Sequence, residues 1–195
     1  MQNQFKETYI VFAPYDRIVK LFLFLFPKWL LPNHLTLIRL FGTLVLIYLL
    51  LVGNYVPGLI LFICLALTDI FDGSLARLRK QITAWGELWD PIADKFLIGA
   101  TAIILLIKTD LFLTILLVAF ELILLGGGLY IKKKRKDVEL KANMWGKIKM
   151  NFHGFGVGFL ILGFLIDADW SLIVARVILY ASLLFAFMSM YRREI

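Results

Sequence analysis

Apolar residues run through this chain in long blocks, and six blocks are long enough to cross a bilayer as helices. They cover about residues 35–52, 57–78, 89–107, 111–131, 145–166 and 170–191. None shows the ten-residue alternation of a barrel strand, and in hydrocarbon the backbone must satisfy its own hydrogen bonds. The pattern predicts an all-α, polytopic membrane protein of six transmembrane helices. Short connections leave one membrane domain, 35–195, with no room for a soluble module. Residues 1–34 read as a cytoplasmic and interfacial segment. The apolar run 21–26 is too short to span; flanked by Arg17, Lys20, Lys28 and Trp29, it reads as a helix lying in the interface. Glu7, Pro14 and Asp16 interrupt the region, and no small-residue cleavage site follows, which argues against a cleaved signal peptide.

Composition sharpens this picture. Of 195 residues, 61% are hydrophobic and the mean hydropathy is +0.85, beyond what a soluble domain of this size needs. The net charge of +7 is unevenly spread. Lys6, Arg17, Lys20 and Lys28 precede the first block, and Arg77, Arg79 and Lys80 follow the second. Residues 132–136 form a basic run, and Arg192 and Arg193 close the chain. The alternate connections carry only Lys108 with Asp110, and Asp167 with Asp169. By the positive-inside rule both termini are expected in the cytoplasm, with the chain in the cell (inner) membrane. Basic loops facing anionic membrane lipids account for the charge, so no nucleic-acid partner is required. The single Cys64 excludes an internal disulfide and is expected to serve packing.

Acids interrupt the apolar blocks at one place. The chain reads Asp69-Ile-Phe-Asp72-Gly73-Ser-Leu-Ala76-Arg77, then eight residues, then Gly86-Glu-Leu-Trp-Asp90-Pro-Ile-Ala-Asp94. On a helix, Asp69, Asp72, Gly73 and Ala76 share one stripe, and Gly86, Asp90 and Asp94 share another. Acids in such segments are costly and mark function, and four converging carboxylates repel one another unless cations lie among them. Hard oxygen donors select Mg²⁺ or Mn²⁺, and no Cys/His cluster competes. Gly73, Ala76 and Gly86 present no bulk beside the acids, which by itself suits close helix packing. Arg77, just past the acids, offers paired donors to an oxyanion.

The pattern D-x2-D-G-x2-A-R-x8-G-x3-D-x3-D resembles the signature of the CDP-alcohol phosphotransferase family at every fixed position. Eight specified residues would coincide by chance with a probability on the order of 10⁻⁸. The resemblance implies an integral membrane enzyme of phospholipid synthesis that moves a substituted phosphate from a CDP-linked donor to an alcohol and releases CMP. It implies metal binding by Asp69, Asp72, Asp90 and Asp94, with Asp94 also the general base. It implies contacts to the CDP group from Asp69, Gly73, Ala76, Arg77 and Gly86, two divalent ions, and a homodimer.

Further stretches resemble the phosphatidylglycerophosphate synthase branch. Pro32-Asn33-His34-Leu35-Thr36-Leu37-Ile38-Arg39 is similar to its PN-x-LT-x-x-R element, and Asp90-Pro-Ile-Ala-Asp94-Lys95 to its DP-x-ADK form. Asn33, Thr36 and Arg39 share one helix face, and the resemblance makes Thr36 and Arg39, with Glu121, candidates for binding the acceptor; the plainer reading is a cap at Asn33 and an Arg39 reaching for the interface. Trp145-Gly146-Lys147-Ile148-Lys149 resembles the GK-x-K element, which makes Lys147 and Lys149 candidates for an acceptor phosphate, or else positive-inside anchors. The two point about 200° apart on a helix, so at most one faces a pocket unless the chain is still loop there. Lys147 is the expected contact. One departure stands out: where that branch carries Arg-Glu, this chain has Phe120-Glu121. Glu121 should face the pocket or be protonated, and His153 could pair with it. Gly126 to Gly128 loosen the fourth helix or allow close packing.

The expected reaction is therefore phosphatidyl transfer from CDP-diacylglycerol to glycerol 3-phosphate. Phosphatidylglycerol, giving cardiolipin, and a polyol phosphate are the alternative acceptors. Another class, a divalent-cation transporter, would leave the Gly/Ala/Arg positions without purpose and would place its acids nearer the midplane.

Overall fold

In the computed structural model, residues 21, 31–79, 81, 83–134 and 144–191 are described. Apart from Leu21, the expected interfacial helix and its flanking charges lie outside these residues, as do Lys80, Arg135, Lys136, Arg192 and Arg193. The regular elements are all α-helices: α1 (Pro32–Leu51), α2 (Tyr55–Leu78), α3 (Ala84–Leu106), α4 (Leu111–Lys134), α5 (Met144–Ile166) and α6 (Asp169–Tyr191). Four of them, α1, α2, α5 and α6, are long and apolar enough to cross a membrane; α4 contributes a shorter apolar stretch, Leu111–Gly127. Each expected block became a helix, with ends displaced by a few residues. Helix α3 begins five residues before its apolar block, because the backbone already coils through Gly86 and Glu87.

The helices fall into two compact units, one up to Thr101 and one from Ala102 onward. In the first, α1 opens with Leu31 in extended conformation and Pro32 at the first helical position, where a missing N–H costs nothing. Asn33 is therefore not the cap; the Nδ1 atom of His34 instead accepts a hydrogen bond from the Leu31 N–H at 3.4 Å. A turn over 52–54 joins α1 to α2, and it needs the left-handed backbone that Gly53 adopts at φ 80°. The two helices approach closely. A Cβ placed on Gly42 would stand 2.6 Å from Leu65, and one on Gly58 would stand 3.0 Å from Leu50. Leu46, Leu50, Phe62 and Leu65 are buried along this seam. Cys64 faces outward, so its expected packing role is not seen.

In the second unit, Asp110 caps α4 by accepting the Leu113 N–H at 2.9 Å. Helices α5 and α6 pack side by side over Val157, Leu160, Ile161, Ala175 and Leu179, all buried. Small residues again set the approach: added Cβ atoms would lie 2.7 Å from Leu179 at Gly156 and 2.5 Å from Leu172 at Gly163. Near Gly163 lies also the backbone nitrogen of Leu172, at 3.2 Å, which cannot swing aside. By contrast, nothing lies within 4 Å of such an atom at Gly126 or Gly127, and both are exposed. Among the described residues these two glycines meet no packing neighbour. We expect Gly163→Val to destabilise the detergent-solubilised protein by about 1–3 kcal/mol, the usual cost of overpacking. Gly126→Val should leave the thermal unfolding midpoint nearly unchanged, and equal midpoints for the two variants would contradict this seam.

Outward faces are apolar in both units, including Phe41, Leu44, Val45 and Tyr48 on α1 and Phe187 and Met188 on α6. Several buried hydroxyls bond carbonyls of their own helices. Thr101 donates to the Leu97 carbonyl at 2.7 Å and Ser182 to the Leu179 carbonyl at 2.6 Å. Outward apolar and inward self-satisfied polar groups are what a lipid solvent requires.

Candidate active site

Three helices of the first unit bring polar side chains to one point. Helix α2 supplies Asp69 and Asp72, three residues apart, and α3 supplies Asp90 and Asp94, four apart, so each pair stacks on one face. Helix α1 supplies Thr36 and Arg39 from a face of its own. Arg39 lies fully buried among the acids. Its Nη1 donates to Asp69 Oδ1 at 3.2 Å and to Asp94 Oδ1, its Nη2 donates to Asp72 Oδ2, and its Nε donates to Thr68 Oγ1 at 3.3 Å. Thr36 Oγ1 donates to Asp90 Oδ1 at 2.6 Å. Every aspartate of the motif is thus tied to α1, directly or through a shared guanidinium.

Access to water differs among the acids. The Asp69 side chain is 47% exposed, Asp94 26% and Asp72 2%. Asp72 keeps one oxygen, Oδ1, buried with no hydrogen-bond partner. An ionised oxygen in that state is costly, and a cation is what would relieve it. Pro91 sits inside α3 between the two acids of that helix and removes one backbone hydrogen bond there.

The small residues of the motif flank the same place. A Cβ on Gly86 would meet Thr83 Oγ1 at 3.2 Å, Asn33 Oδ1 at 3.3 Å and Asp90 Oδ2 at 3.4 Å, so any side chain would crowd Asp90. Thr83 Oγ1 accepts the Gly86 N–H at 3.0 Å and donates to Asn33 Oδ1 at 2.9 Å, which locks the start of α3 to α1. Arg77 lies over Gly73, with Nη1 3.3 Å from where a Cβ would be, and donates to Ser74 Oγ at 3.4 Å. Ala76 is half-buried, and its carbonyl accepts the Gln81 N–H at 2.9 Å.

In the second unit, Lys149 of α5 is buried and its ammonium donates to Glu121 Oε1 of α4. The helix already runs through Gly146, so Lys147 and Lys149 do diverge; Lys147 is exposed. The interior lysine is the second of the pair, not the first. His153 lies one turn beyond Lys149, buried, within electrostatic reach of both members of the pair and with Nε2 unpartnered. Glu121 has its cation, but that cation is Lys149 rather than His153. Phe120, standing where an arginine was expected, is half-buried.

Against known proteins, residues 29–188 match the CDP-alcohol phosphatidyltransferase family. The chain belongs to that family. Among its relatives is the CDP-diacylglycerol–glycerol-3-phosphate 3-phosphatidyltransferase of Rickettsia typhi, 34% identical over 138 residues, or 68% of this chain and 76% of the relative. Proteins of the same name from Bacillus subtilis (34% over 139 residues, 61% of this chain and 69% of the relative) and Aquifex aeolicus (31% over 125 residues, 62% and 69%) are also similar. As a CDP-alcohol phosphatidyltransferase the chain is a transferase and an enzyme of phospholipid synthesis.

Members of the CDP-alcohol phosphatidyltransferase family use divalent metal ions. The donor set here fits such an ion in kind: four hard carboxylates meet, and Asp72 Oδ1 is buried without a partner. Their present spacing, however, is that of a cradle for a guanidinium. Among the described residues no three acidic, histidine or cysteine side chains stand close enough together to hold an ion. Arg39 lies where a cation is wanted, and reading the sequence by local faces missed this. The signal was available: an arginine seven residues into an apolar helix needs an anionic partner.

Proposed function

We propose that the chain transfers the phosphatidyl group of CDP-diacylglycerol to glycerol 3-phosphate, forming phosphatidylglycerophosphate and CMP. The convergence of all four motif aspartates on one point of the first unit carries this reading. The acceptor follows the names of the relatives from three bacterial lineages. The acceptor hydroxyl oxygen forms a bond to the lipid-bearing phosphorus, the bond from that phosphorus to the CMP oxygen breaks, and the hydroxyl proton passes to Asp94. Asp94 takes this role by the family resemblance of its DP-x-ADK element; its side chain, unlike that of Asp72, is open to solvent, as is that of Asp69. Asp69, Asp72, Asp90 and Asp94 would hold Mg²⁺ or Mn²⁺, in all two ions, which when bound neutralise the diphosphate and stabilise the departing CMP. Gly73, Ala76 and Gly86 give the nucleotide room beside the acids, and Arg77 supplies paired donors to its diphosphate.

For the acceptor phosphate, Lys149 is the cation built into the interior, with Glu121 orienting its ammonium. Thr36 and Arg39 serve the acids rather than the acceptor. We further read six spans, a homodimer, and both termini and the site on the cytoplasmic side. That orientation follows the positive-inside distribution of Lys and Arg. Arg193→Cys in a Cys64→Ser background should be labelled only from the cytoplasm; labelling from outside would reverse the orientation.

The deciding experiment supplies membranes with labelled CDP-diacylglycerol and, separately, glycerol 3-phosphate, phosphatidylglycerol and inositol phosphate. CMP release and a phosphatidylglycerophosphate product are expected with the first alone. Excess chelator should abolish turnover, and Mg²⁺ or Mn²⁺ should restore it. Cardiolipin as the product would move the acceptor to a lipid, and full turnover in chelator would remove the metal from the mechanism.

A further inference from the structure

The buried position of Arg39 has a meaning beyond substrate contact. A guanidinium offers five N–H donors in a rigid fork. Here that fork is spent on Asp69, Asp72, Asp94 and Thr68, with no exposure to solvent. The oxygens it binds, Asp69 Oδ1, Asp94 Oδ1 and Asp72 Oδ2, belong to residues of the metal-binding motif. A divalent ion placed on those oxygens would stand within a few ångströms of the guanidinium, and two cations at that distance repel. Even with this fork in place, Asp72 Oδ1 stays buried without a hydrogen-bond partner.

We propose that Arg39 is a positioning residue that acts as the internal cation of the metal-free enzyme. It holds the aspartates of α2 and α3 together until an ion arrives, and it competes with that ion for the same oxygens. Metal loading is then an exchange in which the guanidinium gives up its carboxylates. This rests on the divalent-metal reading of the acids given above. It explains why the acids are gathered yet not spaced as ligands. It also explains why α1 contributes a cation to a motif that lies wholly on α2 and α3.

The test uses the full-length chain in detergent, without substrate, comparing wild type with Arg39→Gln. Two quantities are read: Mn²⁺ affinity, by titration against the spin signal of free Mn²⁺, and the thermal unfolding midpoint in chelator and in saturating Mn²⁺. In chelator the variant should unfold several degrees below wild type, since its acids repel without a counter-charge. In saturating Mn²⁺ that gap should close, and the variant should bind Mn²⁺ roughly tenfold more tightly, the scale of an ordinary coupling between two ligands. An equal gap in both conditions with unchanged affinity would make Arg39 a plain structural residue and overturn the proposal. Weaker Mn²⁺ binding would overturn it too, by showing that Arg39 supports the ion. Should Arg39→Gln fail to fold, Arg39→Lys decides by the same readouts. A compact ammonium cannot span three carboxylates, so it too should bind Mn²⁺ more tightly than wild type. Absence of Mn²⁺ uptake by every form would instead sink the metal reading itself, and this inference with it.

Discussion

Asp94→Asn should lower kcat by roughly 10²-fold or more while donor binding survives, the scale expected when a general base is removed. The amide keeps the shape of the carboxylate and an oxygen for Arg39, but it cannot take the acceptor's proton. Asp94 is also the only one of Arg39's two tightest carboxylate partners that solvent reaches appreciably, at 26% against 2% for Asp72. Asp72→Asn should therefore behave differently. It disturbs a buried charge pair and should lose CDP-lipid affinity and activity together, with a lower unfolding midpoint as well. The comparison is made with equilibrium binding of the donor alongside initial rates. If Asp94→Asn loses donor affinity as severely as Asp72→Asn, Asp94 is chiefly a ligand and the base lies elsewhere.

Lys149→Met should raise the KM for glycerol 3-phosphate at least tenfold and leave the KM for CDP-diacylglycerol nearly unchanged, the pattern of a lost ground-state contact. It should also destabilise the protein by about 3–5 kcal/mol, because Glu121 is left as a part-buried carboxylate without its cation. The two effects can be separated. Adding Glu121→Gln removes the stranded charge, so the double variant should recover most of the stability yet keep the raised KM. Lys147→Met, at an exposed position, should do neither. A double variant that recovers acceptor affinity along with stability would show that Lys149 matters only as the partner of Glu121. A normal KM in Lys149→Met, with Phe120 in place of an arginine, would favour a lipid acceptor.

Much of this architecture could be read from residue order, for identifiable reasons. Membrane helices announce themselves as apolar runs, so each expected block coincides with a helix. The ends shifted where backbone and hydropathy part company, as at α3, which coils through Glu87 before its apolar stretch begins. The acid motif was legible because its members stack within single helices, at spacings of three and four. Contacts between helices were not. Arg39 was placed with the acceptor by its shared face with Thr36, whereas its partners lie 30 to 55 residues away. The packing of α1 against α2, with α3 brought alongside, places them together. That Lys149 rather than Lys147 is the buried one was hidden for a similar cause. Their divergence followed from helix geometry, but which of the two turns inward depends on where α4 presents Glu121.

Helix α3 differs from α1 and α2 in carrying Asp90, Asp94 and Lys95 within its apolar stretch, and it is not among the helices that length and composition alone mark as membrane-crossing. Asp94 lies near the middle of its 23 residues, where an aspartate in lipid costs about 2.5–3.5 kcal/mol on insertion scales. That cost is met once Asp94 faces Arg39 and Asp90 faces Thr36. Biogenesis of the first unit then has a preferred order. The α1–α2 hairpin, apolar outside and closed by its own glycine seam, can leave the translocation machinery unaided. On this cost the third helix is expected to partition against that hairpin, which would assemble the aspartate cluster during insertion rather than after it.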